Sequence, residues 1–110
     1  MKQKSLDRKD GTLALHQRVS RWCVKLRLAK PSVRVQKMTR KWASCSTRGR
    51  ITLARDLSQR PRSMQDYVIV HELLHLRYPN HGKLFKAVMS AHLPGWRKFE
   101  IRTYKPTGNH

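Results

Sequence analysis

Acidic side chains are what this sequence has least of. Its 110 residues hold four aspartates and two glutamates against 25 lysines and arginines, for a formal net charge of +19. A field of that sign attracts polyanions, nucleic acid or ribosomes most often and acidic membranes less often. Cysteine is almost as sparse. Cys23 and Cys45 stand alone, with no CxxC pair, which argues against a disulfide scaffold and for a reducing compartment. Long apolar runs are missing too, and nothing approaches the ~20 residues needed to span a membrane. The opening MKQKSLDRKDG has no apolar h-region, so no signal peptide is read there. The expected location is cytoplasmic. Internal repeats and long linkers are also absent.

What is present is unevenly spread. Residues 1–62 carry 18 basic and three acidic side chains, and residues 63–110 carry seven and three. The first half is therefore an electropositive body, and the second half holds the apolar segments. A chain of this length makes one domain with one core. We expect that domain at 10–104, after a loose basic segment at 1–9 and before a loose tail at 105–110.

The apolar spacing sets the expected elements. Leu13, Leu15, Val19, Trp22, Cys23 and Leu26 recur at helical steps after Asp10, which can serve as a cap. That helix must end before Lys30-Pro31, because a residue preceding proline resists helical geometry. SVRVQKM (32–38) alternates like a half-buried strand. KWASCSTRGRITLA (41–54) reads as two more strands around a turn at Thr47-Arg48-Gly49, with Ile51 and Leu53 facing inward. Ser63 and Asp66 suggest a weak capping box for a helix over 64–77. Pro79-Asn80 is a turn, and a further helix over 81–93 carries Leu84, Phe85, Val88, Met89 and Leu93 on one side. A short last helix holds Trp96, Phe99 and Ile101. The order predicts an α+β fold: an N-terminal helix, a short three-stranded antiparallel or mixed sheet, a site helix and one or two C-terminal helices.

The chemistry lies in VIVHELLHL, residues 68–76. On a helix each residue turns about 100°, so His71 and His75 share one face, one turn apart. Two imidazoles so placed can bind one Zn²⁺ at about 2.0–2.1 Å each. Glu72 sits around the corner, near the metal but unable to take the same position, where a carboxylate can accept a proton from a metal-bound water. This is HExxH, the pattern of metal-assisted hydrolysis. Tyr67, Val68, Ile69, Val70, Leu73, Leu74 and Leu76 make the rest of that helix apolar almost all round, hence buried. Buried carboxylate and imidazole are costly without a partner, and a metal supplies one.

A catalytic zinc usually takes three protein ligands and keeps one position open. His81, just past the Pro79-Asn80 turn, is one candidate for the third. Glu100, on the last expected helix, is the competitor. His16 and His92 have no spacing that recommends them, and His110 belongs to the tail.

KWASCSTRGRITLA followed by YVIVHELLHLRYPNHGKLF resembles the YgjP-like metal-dependent hydrolase domain, a small zincin related to the SprT and WLM peptidases. The likeness runs from about Trp42 to Phe99. It implies one zinc per chain, with His71, His75 and His81 as ligands and Glu72 as general base. Ala43, Ala54, Gly82 and Lys86 stand where that family carries Gly, Asn, Ser and Trp. By analogy with zincins, residues 50–54 would offer an edge strand to an extended peptide. Ser44 can donate to an oxyanion and Cys45 can approach the metal, although Trp42 and Cys45 also suit core packing. Arg34, Lys37, Arg40, Lys41, Arg48 and Arg50 form the best electropositive patch, with Trp42 a candidate stacking partner, although a solvated face is the simpler reading.

The resulting expectation is a zinc metallopeptidase acting on a peptide or protein. The alternatives are a zinc-dependent nucleotide phosphohydrolase, a nucleic-acid-associated protease, and a basic nucleic-acid-binding module with a structural zinc. The last two would engage nucleic acid, or another polyanion, through the basic N-terminal half.

Overall fold

A computed structural model describes residues 11–102 and Lys105. The segments 1–9 and 105–110 expected to be loose fall outside that range, Lys105 excepted. Helix α1 spans Thr12–Leu26. Strands β1 (Ser32–Gln36), β2 (Ala43–Cys45) and β3 (Arg50–Ala54) follow. A 3-10 turn over Arg55–Gln59, which periodicity did not reveal, leads into helix α2 (Arg62–Arg77). Helix α3 (Lys83–His92) and a 3-10 helix over Trp96–Arg102 complete the order. The fold is α+β, as the pattern of elements implied.

The sheet is mixed, in the order β1-β3-β2. β1 runs parallel to β3 with Val33 opposite Ile51 and Val35 opposite Leu53. β2 runs antiparallel to β3 with Ala43 opposite Leu53 and Cys45 opposite Ile51. Ala43, Ile51 and Leu53 point into the core, and Arg34 and Arg50 face out. β3 is therefore the central strand. That corrects the expectation that residues 50–54 form the edge along the site: β2 holds that position, because the chain returns from the turn between the two outer strands. The turn closes through Gly49 N–H donating to the Ser46 carbonyl at 3.0 Å. Gly49 adopts φ 86°, a conformation open to glycine at little cost.

Helix α2 is the centre of the molecule. Met64, Tyr67, Val68, Ile69, Val70, Leu73 and Leu74 are all buried on it. Val68-Ile69-Val70 is a β-branched run with mediocre helix propensity, so packing rather than propensity holds this helix. It lies against β2 on one side and against α1, α3 and the last 3-10 helix on others. Tyr78, which leaves helical geometry at φ −126° and ψ 85° ahead of Pro79, ends it.

Two local expectations fail: the capping box at Ser63 and the burial of Leu84. Ser63 and Asp66 make no capping box: Pro61 is the N-cap of α2, without a side-chain cap. Asp66 instead accepts hydrogen bonds from Arg18 Nη1 at 2.6 Å and Trp22 Nε1 at 2.8 Å, tying α1 to α2. Asp10 lies outside the described residues, and Gly11 holds the N-cap position of α1 in a left-handed conformation. Leu84, expected on the apolar side of α3, is exposed, while Phe85 and Met89 carry that helix into the core.

Candidate metal centre and its cleft

His71 lies in the middle of α2 and is buried. His75 lies one turn later and is half-buried. His81 is exposed, in the connection ahead of α3, whose N-cap is Gly82. It is therefore not the first residue of that helix, as the spacing suggested, but it reaches the same place. The three imidazoles present ligand atoms all within 4.8 Å of one another. His75 Nε2 and His81 Nε2 are 2.9 Å apart. Tetrahedral ligation at zinc–nitrogen distances of 2.0–2.1 Å needs nitrogens about 3.3 Å apart, and the observed spacings bracket that value. Small side-chain adjustments then suffice for the three rings to hold a zinc ion.

The electrostatics suit the same purpose. Burial lowers the pKa of His75, and the neighbouring His71 and His81 lower it further, against the opposing pull of Glu72 and a hydrogen bond to the Pro79 backbone. Burial and His71 likewise lower that of His81, while Glu100 and Glu72 act the other way. A depressed imidazole pKa favours the neutral ring, which is the ligating form.

Glu72 is buried and its Oε2 lies 3.3 Å from His71 Nδ1. Beneath the cluster is an aromatic floor. Phe85 stacks on His81 with centroids 4.4 Å apart and touches the rings of His71 and His75. Tyr67 lies against His71 at 5.6 Å and against Phe99 at 5.7 Å. The sequence reading treated Phe85 and Tyr67 as ordinary core. Their signal was spacing: Tyr67 is one helical turn before His71, and Phe85 is four residues after His81.

The other candidates stand apart. Glu100 is exposed, 3.8 Å from Arg97, and outside the cluster of ligand atoms. His92 meets the Trp22 ring edge-on at 6.1 Å, and His16 is on α1. Trp42 is buried with Lys105 over its ring at 4.7 Å and Arg60 at 5.7 Å, so it has no open face for a nucleic-acid base.

His71, Glu72 and His75 line an open cleft of about 790 Å³ whose other wall includes Ser44, Cys45 and Arg48. β2, hydrogen-bonded to β3 on one side only, runs along it. Burial, and then the charge of Glu72, push the Cys45 thiol above its ordinary pKa. No helix among the described residues is long and apolar enough to cross a membrane.

Comparison with known proteins gives a consistent picture. The family described as YgjP-like, metallopeptidase domain, matches residues 2–102. Among solved structures, the crystal structure of the metallopeptidase zymogen of Methanocaldococcus jannaschii jannalysin is similar in fold. Its TM-score is 0.69 and its identity 22%, over 80% of this chain and 89% of that one. No curated protein matches in sequence.

Proposed function

The chain belongs to the YgjP-like metallopeptidase-domain family, and from that premise we propose that it hydrolyses peptide bonds at a single zinc held by His71, His75 and His81, with Glu72 as general base. The observation that carries this reading is the convergence of the three imidazoles, two of which, with the buried Glu72, form one wall of an open cleft. Zinc bound there would supply Lewis-acid activation of a water and of the scissile carbonyl.

The chain's own residues supply the rest. Each imidazole binds as a neutral ring, the form that burial favours for His75 and His81. Phe85 fixes the ring of His81 by stacking, so the ligand in the connection is oriented before metal arrives. Glu72 takes a proton at its carboxylate from the attacking water and passes it to the leaving amine. The free edge of β2 offers backbone N–H and C=O groups to an extended substrate, leaving Ser44 and Cys45 to meet its side chains. Cleavage at the cleft therefore needs an unfolded or extended segment.

The test is Glu72→Gln in zinc-loaded protein. Peptidase activity should fall by about 10²–10⁴-fold, the usual worth of a positioned general base, with zinc content unchanged. Nucleoside triphosphates assayed alongside should release no phosphate or pyrophosphate. Zinc-loaded wild-type protein that cleaves nucleotides but no peptide would replace this reading with the phosphohydrolase.

A further inference from the structure

The cleft is cationic where a substrate would leave it. The turn between β2 and β3 carries Arg48, exposed and on the cleft wall. A second cleft, about 480 Å³, shares Ser46, Thr47 and Arg48 with the first and adds Ser32 and the exposed Arg50. The two hollows therefore meet at this turn. Apart from Glu72, neither contains a carboxylate. The other described acids are engaged elsewhere: Asp56 with Lys105, Asp66 with Arg18 and Glu100 with Arg97, and Glu72 lies against His71. None of them forms an ion pair with Arg48 or Arg50. Two guanidiniums and three hydroxyls thus face solvent on the path leading away from the metal centre.

Such a surface fits an anionic chain, and the aromatic residues decide which kind. Binding of single-stranded nucleic acid relies on bases stacked on exposed rings. Among the described residues no phenylalanine, tyrosine or tryptophan ring is exposed: Trp22, Trp42, Tyr67, Phe85 and Trp96 are buried, and Tyr78 and Phe99 are half-buried. The exposed imidazoles of His81 and His92 lie outside both clefts, His81 in the metal cluster and His92 against Trp22. A carboxylate needs no ring. It takes paired N–H donors from a guanidinium, the geometry arginine offers best.

We propose that the protein selects polypeptide substrates with acidic side chains flanking the cleaved segment, gripped by Arg48 and Arg50 with the hydroxyls of Ser32, Ser46 and Thr47. The setting of this proposal is the peptidase reading, and it adds the substrate class.

The test measures binding first. Two fluorescein-labelled peptides share a neutral core and differ only in flanking glutamates or lysines. Fluorescence anisotropy follows their binding to the zinc-loaded full chain carrying Glu72→Gln. The glutamate peptide should bind roughly ten-fold tighter, the scale that two exposed ion pairs supply. The advantage should shrink as salt shortens the screening length below about 10 Å. Arg48→Glu with Arg50→Glu should abolish it, and Arg48→Gln with Arg50→Gln should reduce it without reversing charge. Arg21→Glu with Lys25→Glu, an equal charge change on α1 outside both clefts, should keep it. Circular dichroism and zinc content confirm that each variant is folded and loaded.

Equal affinity for the two peptides overturns the proposal. So does a preference lost equally in the α1 variant, which would reflect only net charge. An oligodeoxynucleotide that displaces the glutamate peptide better than polyglutamate of equal charge would assign the surface to nucleic acid. Wild-type protein that cleaves neither peptide would remove the peptidase reading, while the binding comparison would still decide the charge preference.

Discussion

Asp66→Ala should unfold this protein at a much lower temperature, and the size of the effect follows from the partners it abandons. One carboxylate oxygen, Oδ1, accepts from both Arg18 Nη1 at 2.6 Å and Trp22 Nε1 at 2.8 Å. The two losses are unequal. Arg18 keeps 17% side-chain exposure and Asp66 22%, so the guanidinium can recover water, and its share is no more than about 1 kcal/mol. Trp22 is only 7% exposed, and its indole N–H would be left without an acceptor, at about 1–3 kcal/mol. Together the change costs roughly 1–4 kcal/mol, a large part of a typical 5–15 kcal/mol total. At about 5 °C per kcal/mol for a domain of this size, Tm falls by roughly 5–20 °C. Asp66→Asn keeps an oxygen for Trp22 and loses only the charge, so about 1 kcal/mol is expected. Urea or thermal denaturation followed by circular dichroism, on protein of known zinc content, measures both. A cost below ~0.5 kcal/mol for the alanine variant, or equal costs for alanine and asparagine, would refute the reasoning that a buried indole depends on this carboxylate.

Other outcomes are equally definite. His81→Ala should weaken zinc binding by more than about 100-fold, beyond the loss of an outer-shell partner, whereas Glu100→Ala should leave it unchanged; competition with a chelating dye separates them. Gly11→Ala would place a Cβ 2.1 Å from Ser58 Oγ at a φ of 75°, so about 1–3 kcal/mol of stability should be lost. Adding Ser58→Gly removes the clash but not the backbone strain, and chemical denaturation should show partial recovery only. The Cys45 thiol, raised by burial and by Glu72, stays protonated at neutral pH in zinc-free protein. Its alkylation by iodoacetamide should speed up only above the ordinary thiol range, and in Glu72→Gln that onset should move to lower pH. An unshifted onset would mean that Glu72 does not act on the thiol.

The site helix was legible because its information is local. His71 and His75 need only the helical period to share a face, and the apolar residues between them report burial directly. His81 was harder. Its distance from His75 was readable, but its place ahead of α3 depends on where Tyr78 and Pro79 turn the chain. The strands were found from alternation, yet alternation says nothing of order. That β3 lies between β1 and β2 is a property of pairing, so the edge was assigned to the wrong strand. Asp66 shows the same limit from another side. Three residues after Ser63 it resembles part of a cap, and only its contacts 44 and 48 residues away reveal its work. The stacking role once given to Trp42 fails because Lys105 and Arg60 lie over its ring, which no short window can show.

The three imidazoles lie on a gradient from the core to the surface, and that gradient separates two properties that metalloproteins often merge. His71 is held by the packing of α2, whose apolar side chains carry most of its burial. His81 belongs to a short connection only six residues beyond His75, and closing so small a loop costs little chain entropy. Metal uptake therefore has little folding left to drive, unlike a zinc finger that is unstructured until loaded. Such a chain can lose and regain its ion as a reversible exchange within a standing scaffold. Supply of zinc would then act as a setting on catalytic output, adding to the fold only the stabilisation that any ligand of the native state brings.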